Sequence, residues 1–174
     1  KNDRTPGAYR IYSAEVLPAC QKIEEMGMKF GLWFEPEMTN KDSALFRAHP
    51  DWLLADIRRN YCHSRNQYVL DFSKSEVVDY IYGQMRKILT EAPVSYIKWD
   101  MNRAFSEVFS NGNDRTYQGK VRHNYILGVY SLYERLIQEF PDVLFESCAS
   151  GGAALIRECS TMLRRHGLRM IRMR

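Results

Sequence analysis

The sequence predicts an α/β protein, specifically a partial (β/α)8 (TIM) barrel. Three observations carry that expectation. Apolar runs alternate with amphipathic segments along most of the 174 residues. The runs read as continuously apolar, which suits strands covered on both faces of a parallel sheet. Each run also ends in polar residues that could do chemistry, and an α/β barrel builds its active site at that rim. A doubly wound open sheet fits the alternation too, but no Gly-rich phosphate loop follows the first run. About four of the eight barrel units are expected, truncated at both ends. The chain opens on Lys1 in the polar stretch "KNDRTPGAY", which reads as a cut inside a longer protein.

The elements follow in order. Residues 13–26 place Val16, Leu17, Cys20 and Ile23 at helical spacing, with Ser13 as N-cap and Gly27 as stop. Residues 28–38, "MKFGLWFEPEM", read as a buried strand ending in Glu35 and Glu37. A short helix covers 41–48. Residues 68–72, "YVLDF", read as a second buried strand ending near Asp71. A helix starting at Ser73 gathers Val77, Val78, Ile81, Tyr82, Met85, Ile88 and Leu89 on one face. "VSYIKWDMN", residues 94–102, is the third strand, and a Gly/Asn/Asp-rich loop follows at 110–115. A long helix over about 118–139 turns Val121, Tyr125, Val129, Leu132, Leu136 and Ile137 inward. The fourth strand is 143–150, "VLFESCAS", which ends near Glu146 and Cys148.

Composition narrows the function. The formal charge is +4, yet the last 22 residues hold six Arg against one acid, Glu158. The other 152 carry 19 basic and 20 acidic residues. A nucleic-acid domain would spread its charge over a face, so no nucleic-acid partner is expected. No apolar run is long enough to span a bilayer, and no membrane partner is expected. Cys20, Cys62, Cys148 and Cys159 lack CxxC spacing and read as reduced thiols of a cytoplasmic protein. His49, His63, His123 and His166 show no metal-ligand spacing, so no metal or other cofactor is expected.

The chemistry concentrates in "SYIKWDMNR", residues 95–103. Lys98 and Asp100 lie two positions apart, on one side of a strand. A neighbouring ammonium favours the ionised form of a carboxylate, and aromatic walls suit a sugar face. The residues leave two readings of Asp100 open: a carboxylate nucleophile, or a strand-end acid that caps a helix or pairs with Lys98.

"GLWFEPEM", "RNQYVLDFS", "YIKWDMNR" and "ESCASGG" resemble, in order and spacing, the catalytic barrel of glycoside hydrolase family 36, the bacterial-type α-galactosidases. The resemblance spans about residues 20–152. It implies retaining hydrolysis of terminal α-galactosides of the melibiose and raffinose type, through a covalent glycosyl-aspartate. On this likeness Asp100 matches the nucleophile. Lys98 and Asn102 match sugar-hydroxyl contacts, Trp33 an aromatic residue of the sugar subsite, and Arg65 a pocket arginine. Cys148 and the backbone through Gly151 match the subsite wall. Bland alternatives stand beside these: Trp33 as core packing, Arg65 as a salt-bridge partner. Glu35, Glu37, Asp71 and Glu146 are expected to orient neighbours rather than react. Close variants are α-N-acetylgalactosaminidase and galactosyl transfer; bulky Cys148 favours plain galactose. The other class of function is a non-catalytic sugar-binding remnant. The likeness also implies a homo-oligomeric parent enzyme.

The tail departs from the family pattern. The resemblance implies an acid/base Asp after "SCASGG", in a segment like "RFDxGMLYYxPQxWTSDDTDA". The chain instead reads "ALIRECSTMLRRHGLRMIRMR". Codons for residues 156–174 can be chosen so that, read one base back from a Leu155 TTG, they encode "FDSGMLYYAPPAWTSDDTDA". Residues 1–153 are therefore expected to be the partial barrel, and 154–174 a frameshifted tail. As written, the chain lacks the acid/base Asp and is expected to be inactive alone.

Overall fold

The computed structural model describes residues 16–148. Helix α1 (Val16–Glu25) precedes β1 (Phe30–Phe34). Gly27 ends α1 as expected: its φ is 75°, and its N–H donates back to the Glu24 carbonyl at 2.8 Å. A residue with a Cβ is strained in that left-handed conformation. Next come β2 (Met38–Thr39), α2 (Ala44–Ala48), a 3-10 turn (Pro50–Trp52) and β3 (Tyr68–Val69). The second half holds α3 (Ser75–Glu91), β4 (Val94–Asp100), α4 (Arg115–Gln118), α5 (Val121–Glu139) and β5 (Leu144–Cys148).

One parallel sheet has the order β1-β4-β5, with β4 in the middle. The register sets Trp33, Lys98 and Glu146 in one row, and Asp100 beside Cys148 in the next. Period-two alternation then sorts the side chains. Phe34, Ile97, Trp99 and Phe145 fall on one face, buried in the main core with the apolar stripes of α3 and α5. Trp99 stacks on Tyr133 of α5, ring centroids 3.9 Å apart. The other face carries Trp33, Tyr96, Lys98, Asp100, Glu146 and Cys148. The inward residues expected for α3 are buried, except half-buried Tyr82, and all six expected for α5 are buried. Tyr130 and Tyr133 join the α5 set.

Two expectations need correction. Residues 68–72 do not form a strand of the parallel sheet. Only Tyr68–Val69 is strand, paired antiparallel with Met38–Thr39 in a separate two-stranded sheet. Leu70 makes only an isolated antiparallel bridge with Leu53 and Phe72 lies outside any strand; both are buried in the main core, at 0% and 1% exposure. A short apolar run carries no periodicity that distinguishes these cases. The parallel sheet therefore has three strands among the described residues, not four. Likewise 28–38 is not one strand. β1 stops at Phe34, Pro36 has no N–H for a ladder, and Met38 pairs with the other sheet.

Smaller shifts follow capping chemistry. Ser43 caps α2, its Oγ accepting from the Phe46 N–H at 3.0 Å. α3 begins after Lys74, while Asp71 accepts from both the N–H and the hydroxyl of Ser73. The helix expected from about 118 begins at Val121 as α5, and a separate short helix, α4, capped by Asp114, precedes it. Ser13 and the residues beyond Cys148 lie outside the described residues.

Candidate active site

The site forms on the open face of the sheet, at the C-terminal end of its central strand. Asp100 is the last residue of β4 and is 8% exposed. The indole N–H of Trp33, one strand over, donates to its Oδ2 at 3.1 Å. Asp100 Oδ1 accepts no hydrogen bond among the described residues. Trp33 itself is 53% exposed, so the core-packing reading fails: its ring stands on the open face.

Lys98 lies on the same face, as expected, but its ion pair is with Glu146. Nζ and Oε1 are 3.8 Å apart. Glu146 is buried, and its Oε2 accepts the hydroxyl of Tyr96. The reading in which Asp100 pairs with Lys98 is replaced by this cross-strand pair. Cys148 sits beside Asp100, and its backbone carbonyl accepts from the Met101 N–H at 2.9 Å. Burial, then the Asp100 charge, push the thiol pKa up. The thiol is therefore held protonated and is a poor nucleophile.

Asn102 is held by Glu35, its Nδ2 donating to Oε1 at 2.8 Å. The other Glu35 oxygen accepts from the Gln67 amide. Glu37 is fully occupied deeper in the fold. Its Oε1 accepts from the Trp99 indole at 3.0 Å and its Oε2 from the Tyr125 hydroxyl at 2.5 Å. Burial raises the Glu37 pKa, and those two donors oppose the shift. Burial also raises the Asp71 pKa, against hydrogen bonds from Ser110 and Ser73. Glu35, Glu37, Asp71 and Glu146 thus each hold a neighbour in place.

Arg65 is exposed at the tip of a tight turn, Ser64 to Gln67. Arg65 and Asn66 both have positive φ, 56° and 59°, the pattern of a two-residue type I′ connection. Gly151 lies outside the described residues. The sequence marks none of Arg103, Gln67, Tyr96 and Tyr125 as a partner in the site, although it places Tyr125 on the inward face of its helix. Tyr96 was legible there, being two positions before Lys98 on the same strand face. Among the described residues no group of three His, Cys, Asp or Glu side chains is placed to hold a metal ion. No described helix is long and apolar enough to cross a membrane. Cys20, Cys62 and Cys148 are free thiols.

The melibiase family model matches residues 10–163. The chain belongs to the melibiase family. Its melibiase relatives include α-galactosidase Mel36A of Lactobacillus acidophilus, 48% identical over 130 residues, 75% of this chain and 18% of that protein. α-Galactosidase AgaA of Geobacillus stearothermophilus is 43% identical over 133 residues, 76% of this chain and 18% of that protein. Among solved structures, the α-galactosidase of Lactobacillus brevis superposes with a TM-score of 0.77 at 48% identity. The match covers 82% of this chain and 19% of that one. The chain spans about a fifth of the length of these relatives. Variants of the Geobacillus glycoside hydrolase family 36 enzyme were solved in complex with stachyose and with raffinose.

Proposed function

We propose that this chain supplies the nucleophile side of a retaining α-galactosidase, within a (β/α)8 barrel of which it forms part. The observation that carries the reading is Asp100 at the end of the central strand. One of its oxygens is fixed by Trp33, and the other accepts nothing among the described residues. Asp100 Oδ1 attacks the anomeric carbon as the glycosidic C–O bond breaks. The leaving oxygen takes a proton from a second carboxyl group about 5–5.5 Å away. Water, deprotonated by that same group, then displaces Asp100 from the sugar. Trp33 offers an aromatic face to the galactose ring, and Lys98 and Asn102 contact its hydroxyls. Cys148 and Gly151 wall the pocket, and Arg65 contributes from the rim. Terminal α-galactosides such as raffinose, stachyose and melibiose are the substrates, as the ligands of the Geobacillus enzyme suggest. The parent enzyme acts in the cytoplasm as a homo-oligomer.

The test is Asp100→Ala in the full-length enzyme, assayed with and without azide. Turnover of an aryl α-galactoside should vanish. Azide, taking the position of the carboxylate, should restore release of the aryl group and give the β-galactosyl azide. Persisting turnover, or an α-configured azide product, would refute the nucleophile role.

A further inference from the structure

Arg103 is a buried cation that the catalytic reading leaves unused. It is 7% exposed and follows β4 three positions after Asp100. Its guanidinium grips one loop at two points. Nη1 donates to the Gln67 carbonyl, and Nη2 donates to the Cys62 carbonyl at 2.6 Å and to Ser106 Oγ at 2.8 Å. Glu107 closes the clasp by accepting from the Cys62 N–H at 2.7 Å. Between the two gripped carbonyls lies the turn whose tip is Arg65 and Asn66, both with positive φ. Gln67 is held a second time, through its amide on Glu35, and Glu35 also holds Asn102. The segment directly after the Asp100 strand thus fastens both ends of the 62–67 loop.

We infer that Arg103 is a positioning residue that sets the 62–67 loop, and with it Arg65, against the Asn102 side of the pocket. The inference rests on the α-galactosidase reading above. A planar fork with nitrogens directed at separate acceptors can bridge two loop ends, whereas an ammonium is a single point charge on a flexible stem. Lysine at this position keeps the charge and loses the bridge. None of the hydrogen bonds that fasten the loop involves Asp100, so its displacement weakens substrate binding more than the chemical step.

The experiment compares wild type, Arg103→Lys, Arg65→Ala and the double variant in the full-length enzyme, with raffinose as substrate. Arg103→Lys should raise KM about tenfold, the scale of one lost charge-assisted hydrogen bond, while kcat changes less than about threefold. The double variant should be no worse than Arg65→Ala alone, because both changes remove the same contribution. An unchanged KM in Arg103→Lys, or additive losses in the double variant, would overturn the assignment. So would unfolding of both Arg103→Lys and Arg103→Met, which would make Arg103 a stability residue only. Wild-type enzyme that turns over no α-galactoside would sink the parent reading; wild-type turnover with an indifferent Arg103→Lys sinks only the loop assignment.

Discussion

Trp33→Phe removes one N–H and keeps an aromatic ring. The hydrogen bond lost is the 3.1 Å contact from the indole to Asp100 Oδ2. Bonds to a charged acceptor contribute about 1.5–3 kcal/mol. Trp33 is 53% exposed, so in the variant water can take the place of the lost N–H and the lower end applies, about 1.5 kcal/mol. At about 1.4 kcal/mol per decade, kcat/KM should fall roughly tenfold. The assay is steady-state and single-turnover hydrolysis of an aryl α-galactoside by the full-length enzyme, where the single-turnover rate isolates glycosylation. Folding should be unaffected, since Trp33 is no part of the buried core; an unchanged near-UV circular dichroism spectrum checks this. Trp33→Ala should lose more, because the ring surface goes as well. A Trp33→Phe enzyme within about twofold of wild type would refute the idea that this indole orients the carboxylate.

Two further outcomes are expected. Burial raises the Glu37 pKa above its unfolded value, so the folded state holds that proton more tightly. Stability from this group is full below the unfolded carboxyl value near 4.3 and is lost as pH rises through the folded one. Glu37→Gln has no proton to lose, so its Tm relative to wild type should climb as the pH rises above the unfolded carboxyl value; parallel Tm curves above that value would count against it. Separately, residues 154–174 are proposed to be read in a shifted frame that hides the acid/base Asp. Resequencing the template across codons 150–160 should reveal a missing base, and an intact template whose open frame encodes the arginine-rich tail would end that proposal.

Much of this fold could be read from apolar period alone. α3 and α5 each show one long apolar stripe, and that stripe is what they bury. β4 could be read because Lys98 and Asp100 share a face by simple alternation. Residues 68–72 could not. Leu70 sits in an isolated bridge and Phe72 outside any strand, yet both are buried, and burial without alternation looks the same inside a strand and outside it. The Lys98 partner was illegible for a different reason. Choosing Glu146 over Asp100 depends on the β4–β5 register, which places Lys98 opposite Glu146. Arg103 shows the same limit: a lone basic residue after a strand carries no local signal that it will clasp a loop some forty residues earlier in the chain.

Five carboxylates stand at or near strand ends here, and their hydrogen bonding separates scaffold from chemistry. Both oxygens of Glu35 are taken, by Asn102 and Gln67, and both of Glu37, by Trp99 and Tyr125. Glu146 is 4% exposed, between the Tyr96 hydroxyl and the Lys98 ammonium. Asp71 also keeps one oxygen without a hydrogen bond among the described residues, but it lies ahead of α3, off the strands of the parallel sheet. Asp100 combines an oxygen fixed by a neighbour, a second oxygen with no hydrogen bond among the described residues, and a place at the end of the central strand beside Trp33, which is what the proposed nucleophile role asks for. A nucleophile needs orientation without saturation, because each extra donor on the attacking oxygen stabilises the free carboxylate and lowers its nucleophilicity. By that criterion the assignment of Asp100 rests on the unequal treatment of its two oxygens, and not on the number of acids nearby.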